Sequence, residues 1–441
     1  MATEAHPPDV DFVIGDATGL SLPAHGEALA KAGVAFLTQA FHAFGSLAEN
    51  NRIARITRLE PCTGGSTGTK LFLTVEYECD DPGLHTELFV KFSRDFNNRH
   101  RDWQRHEMES EVRFAAISRL PGFPISVPTA YFADYHHASG TGILITERIA
   151  FGEIGIEPHR MKSLDHRTLD NPLPYYQQMV KALAGLAAAH KAGRLAADLD
   201  ERFPFDPAIG SADPIRFDDR SLRASLDECA TFAARCPQLL PAELCTPDFR
   251  TRMERDAIRI LQHEADIQAY LCGNPDMIAL CHWNAHIDNG WFWRDEIGDL
   301  HCGLMDWGRV GQITLGSALW GALSAAHNDI WCHHLPELLA LFVEVYQREG
   351  GPKITTSELE FHLSLHMAVM GVSRMLALPA YVLRQFPEAA RAKDRDDPIF
   401  LQADSARNVL HIYTTLLKHW QRTDFGAQLD RLLERQAHAN S

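Results

Sequence analysis

The spacing of apolar residues changes near residue 150 and divides the chain into two differently built parts. Residues 24–48 carry apolar side chains at helical spacing, which predicts an amphipathic helix. From about 54 to 149 apolar and polar residues alternate, as in 70–79, and predict strands that are buried on one face. The order strand, strand, strand, helix, strand, strand predicts a small antiparallel sheet with one helix packed on it.

Helical spacing dominates the second part, after residue 172. Helices are expected over 174–192 and 247–272 and in four stretches beyond residue 316, whereas 195–247 is irregular. Two short strand-like runs, 291–294 and 301–306, interrupt the helices. The predicted fold class is α+β, with two lobes: an N-terminal antiparallel sheet with one helix, and a larger, mostly helical C-terminal lobe.

The composition limits the partners that the protein can have. The 441 residues include 58 Asp and Glu against 42 Lys and Arg, and the net charge of −16 repels nucleic acids and anionic lipids. The nine cysteines form no CxxC pair, and the chain shows neither a secretory leader nor the ~18 apolar residues of a membrane span. We expect a cytoplasmic protein with no nucleic-acid or membrane partner; the sequence does not define its oligomeric state.

A glycine-rich segment lies between the first two predicted strands, at residues 63–69. Its glycines let the backbone approach a phosphate, and its hydroxyls can donate to it, which makes Gly65, Ser66 and Thr67 candidate phosphate ligands. A P-loop is excluded, because Thr69 and not glycine precedes Lys70. Lys70 is therefore interpreted as a solvated strand residue.

Lys91 is the stronger candidate for a cation at a phosphate site. It alternates with the apolar stripe of its strand, so it projects from the opposite face. The helix that follows supplies carboxylates that can hold an ammonium in place. We predict that Lys91 pairs with Glu111, with Glu107 as the alternative one turn earlier.

The most informative segment is Cys281-His282-Trp283-Asn284-Ala285-His286-Ile287-Asp288-Asn289, with Met305-Asp306-Trp307-Gly308 after it. It resembles the H-G-D-x-H-x-x-N loop and the later I-D-W residues of the aminoglycoside phosphotransferase/choline kinase family, which has a protein-kinase-like fold. The long helix before the sheet is similar to the ecdysteroid-kinase-type branch of that family. His282, His286, Asn289, Asp306 and Trp307 match the family pattern, whereas Trp283 replaces its glycine and Asn284 its catalytic aspartate.

The resemblance implies an ATP-dependent small-molecule kinase that uses Mg²⁺. The implied metal ligands are Asn289 and Asp306, and the implied catalytic residues are Asn284, His286 and Asp306. The implied nucleotide-binding residues are Gly65, Ser66, Thr67, Lys91 and Glu111 at the phosphates and Glu147 to Ile149 at the adenine. His190 and His282 are expected to be structural. The implied domains are a helical extension (1–50), a nucleotide-binding N-lobe (51–150) and a C-lobe (151–441) with the catalytic loop 281–289 and the insertion 195–247.

The departure at position 284 leaves three functions open. An asparagine amide can accept a hydrogen bond from an attacking hydroxyl but cannot take its proton at neutral pH. Phosphoryl transfer rests mostly on positioning and charge neutralisation, so a kinase for a small hydroxylated or amine-bearing molecule is expected to retain some turnover. The alternatives are a pseudokinase that binds without turnover, and a metallohydrolase built on His282, His286, Asp288, His301 and Asp306.

Overall fold

The computed structural model describes residues 10–62, 65 and 67–439, and these form two compact units. The first unit contains the described residues up to Ile154 together with Leu195–Asp198 and Gly303–Val310. The second contains Gly155–Arg194, Leu199–Cys302 and the described residues from Gly311 onward. The segment 303–310, on which Asp306 lies, thus groups with the sheet of the first unit although it is distant from it in sequence.

A five-stranded antiparallel sheet forms the centre of the first unit, with the strands in the order β3-β4-β5-β7-β6. A hairpin of two short strands, β1 and β2, precedes the first helix. The elements of this unit, in chain order, are β1 (Phe12–Ile14), β2 (Ser21–Pro23), α1 (Gly26–Ala43), β3 (Ile53–Cys62), β4 (Thr69–Tyr77), β5 (Glu87–Phe92), α2 (Arg99–Trp103), α3 (Met108–Ile117), β6 (Ala130–His136) and β7 (Thr141–Glu147).

The alternation of the strands gives the sheet two apolar faces, and a helix covers each. Leu88, Val90 and Phe92 of β5 belong to the same buried cluster as Leu29 and Phe41 of α1. On the other face, α3 packs against β6 and β7. The predicted antiparallel sheet with a helix is therefore confirmed, and α1 is a second cover. The one helix predicted between the third and fourth strands is divided in two, since a 3-10 turn at Arg105–Glu107 separates α2 from α3.

The second unit is mostly helical, as predicted. Two of the expected long helices are broken: one at His263, and one at Asp424, which adopts a left-handed conformation. Its elements are α4 (Asp165–Thr168), α5 (Leu173–Lys191), α6 (Leu199–Arg202), α7 (Pro207–Gly210), α8 (Asp219–Arg235), α9 (Pro247–Gln262), α10 (Glu264–Gly273), β8 (Ile278–Cys281), β9 (Gly290–Arg294), β10 (Leu300–Leu304, whose last two residues group with the first unit), β11 (Gly311–Thr314), α11 (Leu315–Leu323), α12 (Leu335–Arg348), α13 (Thr356–Ser373), α14 (Leu378–Gln385), α15 (Asp404–Thr423) and α16 (Phe425–Ala439).

Large aromatic side chains fill the core of this unit. Trp320, Trp331 and Phe342 are all buried, and the Trp331 indole donates to the Leu323 carbonyl. No disulfide joins any of the nine cysteines, which all lie among the described residues. Within residues 10–62, 65 and 67–439, no single helix is long and apolar enough to span a membrane; α13 and the segment Met375–Gln385 pass that test only as a bent pair.

Several histidines are buried in the second unit and are neutral at pH 7. Burial lowers the pKa of His366 and His411 to about 4, and burial together with Arg422 lowers that of His419 to about 3. Below pH 6.5 the unfolded chain takes up protons that these folded histidines do not. Each of these histidines therefore lowers the free energy of unfolding by up to about 1.4 kcal/mol per pH unit as the pH falls from 6.5 toward the pKa of that histidine in the folded protein.

We expect replacement of His419 to reduce this acid sensitivity. His419 lies between the rings of Trp331 and Phe425, so His419→Phe keeps the ring contacts and removes the titrating group. The loss of unfolding free energy between pH 7 and pH 5, measured by urea titration, should be smaller in the variant by about 1–2 kcal/mol. The exposed His333, changed to Phe, should leave the loss as in the wild type. An equal loss of unfolding free energy in all three proteins would contradict the assignment of acid sensitivity to His419.

Candidate functional site

The Lys91 side chain is fixed between two carboxylates. Lys91 projects from β5 toward α3, on the face opposite the α1 cluster, and its Nζ lies 2.6 Å from Glu111 Oε2 and 2.6 Å from Asp306 Oδ1. The Lys91 and Glu111 side chains are only 6% exposed, whereas that of Asp306 is 46% exposed. The predicted Lys91–Glu111 contact is confirmed. The alternative Glu107 instead accepts the Arg309 N–H at its carbonyl.

The two carboxylates decide the charge of Lys91. Burial by itself lowers the pKa of the ammonium, but Asp306 and Glu111 outweigh it and raise the pKa above its usual value. Lys91 is therefore charged throughout the physiological range. Removing one partner of such a buried pair typically costs about 3–5 kcal/mol, because the remaining charge is left uncompensated.

Segment 303–310 holds Asp306 in place by contacts on both sides of it. The Leu304 N–H donates to the Ser126 carbonyl, and the Trp307 N–H donates to Glu111 Oε1. The Trp307 indole stacks on Phe114 of α3 with ring centroids 3.9 Å apart. Asp306 itself has a positive φ of 61°, a conformation that non-glycine residues adopt at a cost and that recurs at functional sites.

Lys70 is not the solvated residue that the sequence predicted. The register of β4 and β5 places Lys70 directly opposite Lys91, and its Nζ lies where a side chain at Gly65 would be, 1.7 Å from the Cβ position. Burial, and then the Lys91 charge, lower the pKa of Lys70. The prediction failed because the surroundings of a strand residue depend on the register of its neighbours, which a P-loop test does not address.

The glycine-rich segment is described only in part. Gly65 is exposed with a φ of +72°, and Thr67 is partly buried; Ser66 lies outside the described residues, as do Thr63 and Gly64. Gly68 adjoins β5 so closely that an added Cβ would lie 1.8 Å from the Phe92 carbonyl oxygen. Glycine is therefore required at position 68 for the segment to enter β4.

The residues assigned to adenine binding, Glu147 to Ile149, lie at the end of β7 and directly after it. The Glu147 N–H donates to the Thr129 carbonyl, and the Glu147 carboxylate accepts the Thr129 N–H at 2.7 Å. The backbone N–H and the side chain of Glu147 are thus both used in hydrogen bonds within the first unit. The Arg148 N–H donates to the Glu87 carbonyl. Ile149 accepts the Phe151 N–H, while its own N–H has no hydrogen-bond partner among the described residues.

Loop 281–289 belongs to the second unit and connects β8 to β9. The Asn284 carbonyl accepts both the His286 N–H and the Asn289 side-chain NH₂, at 2.7 and 3.0 Å. The Asn289 amide is thus oriented by its nitrogen, which leaves its Oδ1 as the atom able to bind a metal. Asn284 Oδ1 is buried and has no hydrogen-bond partner in the described part of the chain.

Three histidines near this loop take part in hydrogen bonds within the second unit. Nδ1 of the fully buried His282 accepts the Asn284 N–H, and Nδ1 of His190 accepts the Leu280 N–H, as the sequence analysis expected. His286 Nε2 lies 2.8 Å from Ser324 Oγ, and burial lowers the pKa of His286 well below 6.5. A neutral imidazole with so low a pKa is a weak proton acceptor. Asp288 forms an ion pair with Lys162 at 3.1 Å and so supports the loop.

Asp306 of the first unit and Asn289 of the second each offer an oxygen atom of the kind that hard divalent cations bind. Mg²⁺ usually takes only one or two protein ligands and completes its shell with phosphate and water. No group of three or more His, Cys, Asp and Glu side chains among the described residues is arranged to hold a metal ion. No observation favours the metallohydrolase alternative.

The comparisons with known proteins give structural relatives only. No protein-family model and no curated protein matches the chain. Among solved structures, it is similar to choline kinase from Cryptosporidium parvum Iowa II, with 11% identity over 86% of this chain and 90% of that one and a TM-score of 0.39. The structures it resembles are choline kinase and aminoglycoside phosphotransferase family members. The ecdysteroid-kinase-type branch stays a prediction.

Two further structures extend this comparison. The chain is similar to a choline/ethanolamine kinase family protein from Mesorhizobium loti, with 15% identity over 84% of this chain and 98% of that one and a TM-score of 0.36. It is also similar to a spectinomycin phosphotransferase solved with ADP and spectinomycin, with 12% identity over 82% and 94% of the two chains and a TM-score of 0.39. Because these TM-scores lie below 0.5, the likeness does not assign a function to this protein.

Gly321 of α11 allows the loop to lie against that helix, a feature that sequence reasoning missed. A Cβ at Gly321 would lie 1.9 Å from the Trp283 carbonyl oxygen and 3.1 Å from the Asn284 N. Both are backbone atoms, so the loop itself would have to move. No local pattern signals this glycine, because the contact joins residues that are distant in sequence.

We expect Gly321→Ala to displace loop 281–289 and to lower the free energy of unfolding by about 1–3 kcal/mol through overpacking. Gly185, in the middle of α5, is the matched control, since an added Cβ there would meet nothing within 4 Å. Gly185→Ala should stabilise the protein by about 0.5–1 kcal/mol. Thermal and urea denaturation measure both. If both substitutions shift the free energy of unfolding in the same direction, the contact of Gly321 with loop 281–289 does not restrict the residue at position 321 to glycine.

Proposed function

We propose that the protein is an ATP-dependent phosphotransferase acting on a small organic molecule. The observation that carries the proposal is the Lys91 ammonium held between Glu111 and Asp306. Glu111 is buried and keeps the cation in place, whereas the partly exposed Asp306 is able to reach a ligand. A positioned cation beside a metal-binding carboxylate is what phosphoryl transfer from a nucleotide requires.

Mg-ATP supplies the phosphoryl group, and Mg²⁺ neutralises the charge that develops on it. In this proposal Asp306 and Asn289 hold the metal ion through oxygen atoms, and Lys91 binds the nucleotide phosphates. The Ile149 N–H is the backbone donor best suited to adenine, since it is not used within the described part of the chain.

Lys70 is proposed as a second phosphate cation. It lies opposite Lys91 and against Gly65, on the β4 side of the glycine-rich segment. Two adjacent ammonium groups repel each other, and a phosphate between them relieves that repulsion. The same repulsion explains why the nearby Lys91 contributes to the lowered pKa of Lys70.

Asn284 is proposed to orient the acceptor hydroxyl or amine. Its buried Oδ1 is available to accept a hydrogen bond, which positions the acceptor but does not remove its proton. His286 is occupied by Ser324 and is a weak base, so we propose that it positions the loop instead of replacing the missing aspartate. The same observation at Asn284 favours the second candidate function, a pseudokinase that binds nucleotide without turnover.

We expect both Lys91 and Lys70 to contribute to the affinity for Mg-ATP. The double variant Lys91→Met/Glu111→Gln removes the ion pair without leaving a buried carboxylate unpaired, and should weaken Mg-ATP binding at least about a hundredfold, since charge-assisted hydrogen bonds are lost. Lys70→Met should weaken it about tenfold. Isothermal titration calorimetry measures both. Because the pKa of Lys70 is lowered, wild-type affinity should begin to fall at a lower pH than an unperturbed lysine would allow, and this fall should be absent in Lys70→Met.

Lys31 on α1, exposed and remote from these residues, is the matched control. Lys31→Met should bind Mg-ATP as the wild type does. Unchanged affinity in the Lys91→Met/Glu111→Gln variant would contradict the proposed nucleotide site. Unchanged affinity in Lys70→Met alone would contradict only the proposed role of Lys70 as a second phosphate cation.

We expect the Asn284 variants to separate a slow kinase from a pseudokinase. Asn284→Asp restores a proton acceptor and should raise ATP consumption with a hydroxylated or amine-bearing acceptor about tenfold or more. Asn284→Ala removes the orienting oxygen and should lower it. The assay is coupled ADP release across a panel of alcohols and amines. Turnover that appears only in Asn284→Asp would identify the wild type as a pseudokinase; no turnover in any of the three would contradict the phosphotransferase.

A further inference from the structure

The second unit contains a polar cavity that the proposed function does not use. It has a volume of about 110 Å³ and is lined by residues of three chain segments, 163–167, 327–328 and 395–411. Such a volume accommodates about seven to ten water-sized probes, which corresponds to a small organic molecule. Leu164, Phe400 and Leu410 make part of its wall apolar.

Arg407 contributes a buried donor that the protein does not satisfy. The residue is 7% exposed, and its Nε and Nη1 donate to Ser163 Oγ, to the Phe400 carbonyl and to Asp404. Its Nη2 is buried, has no hydrogen-bond partner within the described residues and belongs to a side chain of the cavity wall. A buried donor without an acceptor typically costs about 1–3 kcal/mol, more when it is charged, so a ligand that accepts this hydrogen bond is favoured.

Arg395 adds a second cation to the same cavity. It is partly buried, and burial lowers the pKa of its guanidinium, which is the sign of a charge removed from water. No hydrogen bond or ion pair of its side chain occurs within the described residues, although the charges of Asp396, Glu243 and Asp394 act on it from nearby. Asp396 pairs with Arg167 at 2.6 Å, and Asp397 accepts the backbone N–H groups of Lys393 and Ile399.

Two of the histidines of the wall, His327 and His411, do not add positive charge. Burial lowers the pKa of His411 to about 4 and that of His327 below its usual value, and His166, whose ring lies 4.5 Å from that of His327, also lowers the pKa of His327. His327 and His411 are therefore neutral at pH 7. The wall carries three arginines, Arg167, Arg395 and Arg407, against the two carboxylates of Asp396 and Asp397, in a chain whose net charge is −16.

The backbone around the cavity is strained and is connected to loop 281–289. Ser163 has a φ of +60°, unusual for a residue with a side chain. Four consecutive residues, 324–327, bind His286, Ser163, His411 and Asp165 in turn. Residues 324–327 therefore contact both the wall of the cavity and loop 281–289, which carries Asn284 and Asn289.

We infer that this cavity binds a small organic anion, whose carboxylate or phosphate group is held by Arg395 and Arg407 and whose apolar part lies against Leu164, Phe400 and Leu410. Both anionic groups match the planar guanidinium. The site is distinct from the residues proposed to bind the nucleotide, and it stands whether or not the protein transfers phosphoryl groups.

The test uses three probes of similar shape and different charge: benzoate, benzyl alcohol and benzylammonium, with phenyl phosphate to compare the two anionic groups. Isothermal titration calorimetry on the full chain, without nucleotide, should detect benzoate or phenyl phosphate and neither of the uncharged and cationic probes. Arg395→Gln should weaken anion binding at least about tenfold. Because Arg395 makes no side-chain hydrogen bond in the described residues, this variant should retain wild-type stability.

Arg391, exposed and outside the cavity, is the matched control, and Arg391→Gln should bind the anions as the wild type does. The Lys91→Met/Glu111→Gln variant should also keep anion binding, which excludes the proposed nucleotide site as its location. Arg407→Lys should weaken binding as well; should it fail to fold, Arg395→Gln remains decisive. Binding of benzylammonium equal to that of benzoate, or wild-type anion affinity in Arg395→Gln, would overturn the inference.

Discussion

The ion pair of Lys91 with Glu111 and Asp306 is the interaction on which the first unit's candidate site depends. It joins a strand, a helix and a segment more than two hundred residues further along the chain. A buried ammonium is tolerated only with its partners, so the positions of β5, α3 and segment 303–310 are mutually constrained. Glu111 of α3 contacts both of the other elements. One of its oxygens binds Lys91 of β5, and the other accepts the N–H of Trp307 in segment 303–310. The partly exposed Asp306 is therefore presented to solvent by a rigid support.

Sequence alone was sufficient for the parts of this arrangement that follow from periodicity. The alternation of β5 places Lys91 on the face opposite Leu88 and Val90, and a helix that follows such a strand can return a carboxylate to that face. Glu111 could be selected in this way, and α1 could be recognised as an amphipathic helix. The breaks after Gln104, at His263 and at Asp424 were not predictable, because the apolar spacing continues across them.

What the sequence could not supply are contacts that depend on register and on tertiary packing. Lys70 looked solvated until the pairing of β4 with β5 placed it opposite Lys91. Gly321 is one of several apolar residues in a buried helix, and its importance comes only from the Trp283 carbonyl beside it. The cavity arginines lie in a stretch without a motif, so no pattern of spacing distinguishes Arg395 or Arg407 from surface residues. Each of these three features requires coordinates.

An amide instead of a carboxylate at position 284 affects more than the strength of a possible base. An aspartate at this position would add a negative charge close to the buried His286, and the pKa of that imidazole would rise as a result. With an amide at 284, His286 stays neutral and its hydrogen bond to Ser324 involves no net charge. Around Asn284 the loop is held by neutral hydrogen bonds: His286 to Ser324, Asn289 to the Asn284 carbonyl, and the Asn284 N–H to His282. The ion pair of Asp288 with Lys162 adds a charged contact further along the loop. The Asn289 amide is thus oriented by a backbone carbonyl and needs no carboxylate at position 284, so in the proposed site the orientation of the metal ligand would not depend on the group that meets the acceptor.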